Sequence, residues 1–323
     1  RCNGQFCLEK SLCYCICITD KGFNYRLAHR PTDFHSCRTF RIPVAGNHLL
    51  PDSDLIDDYF NKRFASKSFV YTKNGRQAMD MALASLNLQK EDVVTILTTS
   101  GNFYISGCVT STIEKYCGWS REFVAGTRVI FVNHEFGYPY PDLKKLKAYK
   151  LPIIEDCAGS FFSQDRENTI GEVGDFVVYS FPKMFPLQVG GLLVSNTPGS
   201  TLKNDQIGKD ELRHIKNVLS SRIDSREKII RDRISNYRFL RERFATLGFK
   251  ERFPLEPGIV PAVFMFKSGE HDIDLPGLKK HFWAHGVQCS VFYGENAFFI
   301  PVHQSLNEQD MNYFFEVFKS FIQ

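Results

Sequence analysis

No stretch of 18 consecutive apolar residues occurs in this chain of 323 residues, so no membrane-spanning helix is expected. Charge of one sign is not in large excess either: 40 basic side chains stand against 36 acidic ones, a net +4. That imbalance is too small to imply a nucleic-acid or membrane partner by itself. No internal repeat and no low-complexity tract is present, so nothing points to a solenoid or an array. What remains, with 43% hydrophobic and 24% charged residues, is the composition of a soluble, folded, mixed-structure protein. The length suits one large domain plus a smaller one, or two medium domains.

Ten cysteines are present, yet no CxxC pair. Five fall early, at Cys2, Cys7, Cys13, Cys15 and Cys17, and the others are scattered at Cys37, Cys108, Cys117, Cys157 and Cys289. Thiolates favour zinc and soft metals, so CYCIC admits a metal reading. The nearest histidine is His29, however, and the alternation in LCYCICI suits a strand with small thiols on one face. Buried or free thiols and no metal site are expected, in a reducing cytoplasm rather than a disulfide framework. The early apolar segment, about seven residues long, is a poor match to a signal peptide.

Residues 1–50 read as an irregular arm, with clusters such as HRPTDFHS and IPVAGNHLLPDSD. A helix is expected from Asp52 or Ser53 onward, carrying carboxylates in its first turn. The run SFVYT is strand-like, and Ala78, Met79, Ala82, Leu83 and Leu86 fall at helical spacing. The runs DVVTILTT, TRVIFVN, LPIIEDC, GDFVVYSF and GGLLVSN are strand-length, rich in Val, Ile and Phe, and bounded by turn residues. Continuous apolar runs of this kind suit a mostly parallel sheet covered by helices on both faces. PDLKKLKAY reads as a helix between two of them, and residues 210–245 as strongly charged helix. The last third offers the strand VPAVFMF, the helix LPGLKKHFWAHG, a further strand pair and the closing helix NEQDMNYFFEVFKSFI. The expectation is an α/β large domain over 51–205, then a helical connection and a small α+β domain over 206–323.

One lysine is out of place in this pattern. Lys183, in YSFPKMFPLQVGG, has no charged residue within six positions on either side. Apolar surroundings would disfavour its charged form, which is how a lysine becomes an amine nucleophile for Schiff-base chemistry; a snorkelling loop lysine is the plainer alternative. Asp156 ends the apolar run LPIIE, at the strand end where ligands of open α/β sheets bind, and is costly to bury unless something positive meets it. A partly solvated or arginine-paired aspartate is the plainer reading. Asn74-Gly75-Arg76 sits at a strand-to-helix turn, where backbone N–H groups and the helix dipole suit a phosphate. Gly75 permits close approach and Arg76 offers a fork of donors; an ordinary turn with a surface arginine remains open. Ser180 could bond a phosphate or its own turn. Together the phosphate cradle, the acid at a strand end and the isolated lysine are what pyridoxal 5′-phosphate (PLP) requires.

With these residues in view, the chain resembles the DegT/StrS family of nucleotide-sugar aminotransferases, fold-type-I PLP enzymes with the aspartate-aminotransferase fold. The resemblance covers about residues 40–323. It is carried by EDCAG for the family's Asp-x-Ala element and by GDFVVYSFPKMFPLQVGG for its Gly-Asp strand, Ser-Phe, lysine and Gly-Gly. NGRQAM matches the helix start, NFYIS the aromatic element, and FFIPVHQSLNEQDMNYFFEVF the closing pattern. The resemblance implies Lys183 as the Schiff-base lysine and Asp156 as partner of the pyridine nitrogen. It implies Gly75, Arg76 and Ser180 on the phosphate, and Phe103 stacked on the ring. It also implies a homodimer that transfers an amino group, with glutamate as donor, to a keto-sugar, nucleotide-linked, in surface-polysaccharide or secondary-metabolite sugar synthesis.

Several features depart from the family's pattern: Ser180 to Lys183 is shorter than in familiar members, Arg76 stands where many carry threonine, Gly159 replaces the usual glutamine beside the cofactor, and the chain is shorter than typical members, its segment after GGLLVSN lacking the usual Asn-Tyr-Gly element near the sugar-nucleotide site. The last two leave room for an altered or non-catalytic PLP-binding relative, a lyase or a regulatory protein. A remote alternative from another class is a penicillin-recognising serine acyltransferase, since Ser180 to Lys183 is formally S-x-x-K and Lys267-Ser268-Gly269 formally K-S-G. No S-x-N element lies between them, and Pro182 would fall in the first turn of the helix such a serine starts.

Overall fold

The apolar runs of the first two-thirds all become strands of one sheet. In the computed structural model, which describes residues 43–65 and 67–323, these are β1 (Ser68–Thr72), β2 (Val93–Thr98), β3 (Gly118–Ser120), β4 (Thr127–Asn133), β5 (Ile153–Asp156), β6 (Phe176–Ser180) and β7 (Gly191–Ser195). Their order across the sheet is β1-β7-β6-β5-β4-β2-β3. β7 pairs antiparallel with both β1 and β6, and the remaining pairs are parallel. All strands but β7 therefore point their carboxyl ends to one edge of the sheet. The short strand β3 had no counterpart in the sequence reading, because GWS offers no apolar run.

Helices α1 (Leu55–Arg63), α2 (Gly75–Ala84), α3 (Gly107–Ile113) and α4 (Lys209–Ile223) cover the sheet. The continuous apolar runs are explained by two cores, one on each face. Val177, Tyr179, Leu192 and Val194 pack with α1 and α4, whereas Phe176, Val178 and Leu193 pack with α2 and α3. Successive residues of one strand thus feed opposite cores. The first helix begins at Leu55, later than expected, because Asp52 and Ser53 are tied to α4: Asn217 Nδ2 donates to Asp52 Oδ1 (2.9 Å), and Ser53 N donates to Asn217 Oδ1 (3.0 Å). PDLKKLKAY is a 3-10 turn, Leu143–Tyr149, not an α-helix, with Asp142 and Lys150 in left-handed backbone conformations at its two ends.

The charged stretch 210–245 is two helices, α4 and α5 (Arg226–Ala245), broken at Asp224-Ser225. Beyond it, β8 (Lys250–Glu251), β9 (Val263–Lys267), α6 (Leu275–Ala284), β10 (Ser290–Phe292), β11 (Ala297–Pro301) and α7 (Glu308–Ile322) complete the chain. The four strands form an antiparallel sheet in the order β10-β11-β9-β8. Its core centres on Phe244, whose ring meets those of Phe264, Phe266, Phe315 and Phe318. α7 opens with a reciprocal cap: Asp310 N donates to Asn307 Oδ1 (3.1 Å) and Asn307 N to Asp310 Oδ2 (3.0 Å). The architecture is the expected α/β large sheet with a smaller α+β unit.

The cysteine-rich arm lies outside the described residues. Cys117, Cys157 and Cys289 are free and buried, as expected. Cys108 is disulfide-bonded, so free thiols do not hold there.

Candidate active site

Three chain crossings meet where β1, β6 and β7 come together. β1 leads through Lys73-Asn74 into α2, and Asn74 caps that helix by accepting from Gln77 N (2.9 Å), while Gln77 Oε1 accepts from Lys73 N (2.7 Å). Gly190 N donates to Lys73 O (2.6 Å), and Phe181 N donates to Gly190 O (3.1 Å). A side chain at Gly191 would bring its Cβ within 2.7–2.8 Å of Asn74, Tyr179 and Thr72 atoms; only glycine lets the three segments touch. Gly75 faces Ser180 in the same way: a Cβ there would lie 3.1 Å from Ser180 Cβ and 3.6 Å from its Oγ. The α2 N-terminus, Gly75 and Ser180 thus form a small cradle with a hydroxyl at its side, the setting in which helix N-termini hold phosphate. Arg76 is exposed in the same first turn.

Lys183 ends a 3-10 turn, Phe181–Lys183, directly after β6. The sequence reading put this lysine in apolar company and so in an apolar setting. The structure separates the two: Phe181, Met184 and Phe185 are fully buried, while Lys183 is exposed. Phe185 N and Met184 N both donate to Phe181 O (2.8 and 2.9 Å), a tight turn that sends the apolar side chains to the core and the lysine outward. The apolar neighbours anchor the turn and do not desolvate the amine.

Asp156 is half-buried at the end of β5, with Asn133 opposite on β4 and Val178 opposite on β6. Its two oxygens are held separately: Asn133 Nδ2 donates to Oδ2 (3.0 Å) and Ala158 N to Oδ1 (2.9 Å). Asn133 escaped the sequence reading; the signal for it is an amide at the end of the strand beside the one that carries Asp156. Phe103 lies on the loop after β2 and is 72% exposed. Gly159 is buried, with the backbone of Phe136 and Gly137 lying 3.5–3.7 Å from where its Cβ would be, so a neighbouring turn covers the position of the missing glutamine.

Behind this wall lies a buried network that the sequence reading missed. Glu155 accepts from the N–H groups of Gly171 (2.8 Å), Val173 (2.9 Å) and Gly174, and pairs with His134 Nε2 (2.9 Å). Tyr140 N donates to His134 Nδ1 (3.0 Å), so Nδ1 is unprotonated and Nε2 carries the proton it gives Glu155. His134, Glu155 and Cys157 are close enough to suggest a metal site. Both imidazole nitrogens are engaged in hydrogen bonds, Nδ1 with Tyr140 N and Nε2 with Glu155, and burial pushes the Cys157 thiol well up. The Glu155 hydrogen bonds pin the 171–174 loop to β5.

The acyltransferase pattern fails in three dimensions. Ser180 ends a strand and is followed by a three-residue turn, and Lys267 ends β9 in the other sheet.

Residues 122–207 match the sequence pattern of the DegT/DnrJ/EryC1/StrS aminotransferase family. The curated GDP-perosamine synthase of Escherichia coli O157:H7 is 27% identical over 166 residues, 42% of this chain and 44% of that protein; the match spans less than half of that relative. Among solved structures, the aminotransferase TlmJ from Streptoalloteichus hindustanus superposes with a TM-score of 0.69 at 16% identity, covering 84% of this chain and 91% of that one. A DegT DnrJ EryC1 StrS aminotransferase from Brucella abortus gives 0.65 at 15% identity, with the same 84% and 91%. A further neighbour of this fold, Spr1654 from Streptococcus pneumoniae, is known in PLP and PMP forms (TM-scores 0.64 and 0.68, 13% identity). The chain thus carries the sequence pattern of DegT/DnrJ/EryC1/StrS aminotransferases over the segment that holds Asp156, Ser180 and Lys183, and shares the fold of such enzymes over 84% of its length.

Proposed function

We propose that the protein is a PLP-dependent aminotransferase that moves an amino group from an amino acid, glutamate, to a nucleotide-linked keto-sugar. The observation that carries this reading is the outward-facing Lys183, three residues past the Ser180 that closes the Gly75 cradle, with Asp156 fixed two strand-ends away from β7. The cradle is shaped for a phosphate by what it lacks, since any Cβ at Gly75 would crowd Ser180. When bound, the cofactor supplies an electron sink for the bonds at the substrate's Cα.

This chain's residues supply the rest. Gly75 and Arg76 at the α2 N-terminus and the Ser180 hydroxyl hold the phosphate. Asp156, aimed by Asn133 and the Ala158 N–H, would keep a proton on the ring nitrogen. Lys183 Nζ would be the group that holds the cofactor covalently and would serve as the base and acid for the proton at the substrate's Cα. Phe103, exposed on the loop after β2, would supply the aromatic face for the cofactor ring. Arg76, Phe103 and Lys183 are all exposed in the single chain, which supports a second copy closing the site as a homodimer. Among the described residues no helix is long and apolar enough to cross a membrane. The name of the curated relative makes a GDP-linked sugar the first acceptor to screen.

The test is an absorbance spectrum of the protein with PLP, before and after glutamate, with Lys183→Ala in parallel. The expected result is a visible band that glutamate converts to the amine form and that the variant lacks. A band indifferent to every amino donor would favour the altered-relative reading that Gly159 leaves open. No band would refute the cofactor assignment.

A further inference from the structure

The turn that presents Lys183 is gripped from the other side of the molecule. Arg233, on α5 and only 1% exposed, donates from Nη2 to Lys183 O (3.0 Å). Gln304, in the loop after β11, donates from Nε2 to the next carbonyl, Met184 O (2.8 Å). The two side chains are joined, Arg233 Nε donating to Gln304 Oε1 (2.8 Å). One helical turn along α5, Asn236 Nδ2 donates to the carbonyls of His303 (3.2 Å), Leu306 (3.2 Å) and Val302 (3.5 Å). Arg233 and Asn236 therefore share a face of α5, one reaching the lysine turn and the other fixing the loop that carries Gln304.

The carbonyls at the end of a helical turn have no partner within it, and a buried carbonyl without a donor is costly. Here they are the carbonyls of Lys183, the last residue of the turn, and Met184, just after it, and each receives one donor. A guanidinium suits this place better than an ammonium, because its rigid fork can address Lys183 O and Gln304 Oε1 at once.

We propose that Arg233 and Gln304 are positioning residues for Lys183. They fix the peptide planes on its C-terminal side and so aim its amine into the site, making lysine presentation depend on the docking of α5 and the β11 loop against the large sheet. The inference rests on the proposed role of Lys183. A misplacement of about 1 Å in such a group costs on the order of a hundredfold in rate.

The experiment uses the full chain as wild type, Gln304→Ala, Gln304→Glu, Arg233→Lys and Lys183→Ala. Each is treated with PLP and cyanoborohydride, and the rate at which Lys183 gains the cofactor's mass is followed by peptide mass spectrometry. Amide exchange at Met184 and Phe185, both bonded to Phe181 O, is followed without cofactor. The expected result is labelling of wild type at Lys183 and labelling slowed at least tenfold, with faster exchange at 184 and 185, in Gln304→Ala and Arg233→Lys. Gln304→Glu, which keeps an acceptor for Arg233 but loses the donor to Met184, falls between. Faster exchange with unchanged labelling would make the brace merely structural and overturn the proposal. Unchanged exchange in Gln304→Ala would also overturn it, whichever lysine is labelled. If wild type is not labelled at Lys183 at all, it is the cofactor reading that fails, and the exchange data still decide whether the brace exists.

Discussion

Lys183 owes its exposure to the burial of its neighbours, and Asp156 owes its aim to Asn133. Asp156→Asn keeps the shape and one acceptor oxygen but cannot hold a proton on a ring nitrogen as a carboxylate does. Cofactor binding should persist while the amino-transfer rate falls by about 10²- to 10⁴-fold. Binding by fluorescence together with single-turnover kinetics checks this, and wild-type turnover would remove Asp156 from its role. Glu135 gives a second test at this scale. It is 7% exposed, accepts from Ser100 N (2.6 Å), and burial raises its carboxyl above the ordinary 4.5, despite the Ser100 hydrogen bonds and nearby Arg121. A carboxyl whose pKa is higher in the folded state binds its proton more tightly there. The resulting stabilisation is full below pH 4.5 and is lost as pH rises through the folded value. Wild type should therefore lose stability relative to Glu135→Gln on going from pH 4.5 to 7, read as the difference in Tm. A difference that moves the other way would refute a buried, reluctant carboxylate.

At the scale of the element, the strand-to-helix turn between β1 and α2 was legible because it combines two local signals, an N-cap asparagine and a glycine. The strands were legible because two-sided burial writes continuous Val, Ile and Phe runs. Lys183 was legible as an anomaly, but its setting was not. Sequence distance cannot tell which face of a turn its neighbours occupy, and only the return of Met184 and Phe185 to Phe181 O decides that. The grip of Arg233 and Gln304 was equally hidden, since their contacts with residues 183 and 184 span 50 and 120 positions. The β1–α2 turn also separates stability from ligand binding. Asn74→Ala should cost about 1 kcal/mol of stability through the lost cap, seen as a lower denaturant midpoint, and leave the cradle's shape intact. Gly75→Val should instead weaken PLP binding at least tenfold, measured by equilibrium titration, because its Cβ meets Ser180. Equal PLP affinity in wild type and Gly75→Val would mean the cradle does not hold the phosphate.

Across the whole molecule, the antiparallel strand of the large sheet, β7, has a consequence for the order in which the chain acquires structure. Among the described residues β1 lies at the edge of the large sheet and pairs with β7 alone, so Ser68 waits for Ser195 and Thr72 for Gly191. β2, β4, β5 and β6 can associate without either, through closures over shorter spans of chain. β1 precedes β2–β6 in the chain yet finds its place in the large sheet after them, and the Gly75 cradle is incomplete until Gly191 is in place. Pulsed hydrogen exchange during refolding should show amides of Val129–Val132 protected before those of Phe69–Tyr71; simultaneous protection would contradict this order. A chain halted after β6 would carry Asp156, Ser180 and Lys183 without the Gly191 contact that sets β1 beside them, so on the proposed function a productive cofactor site would have to wait for β7.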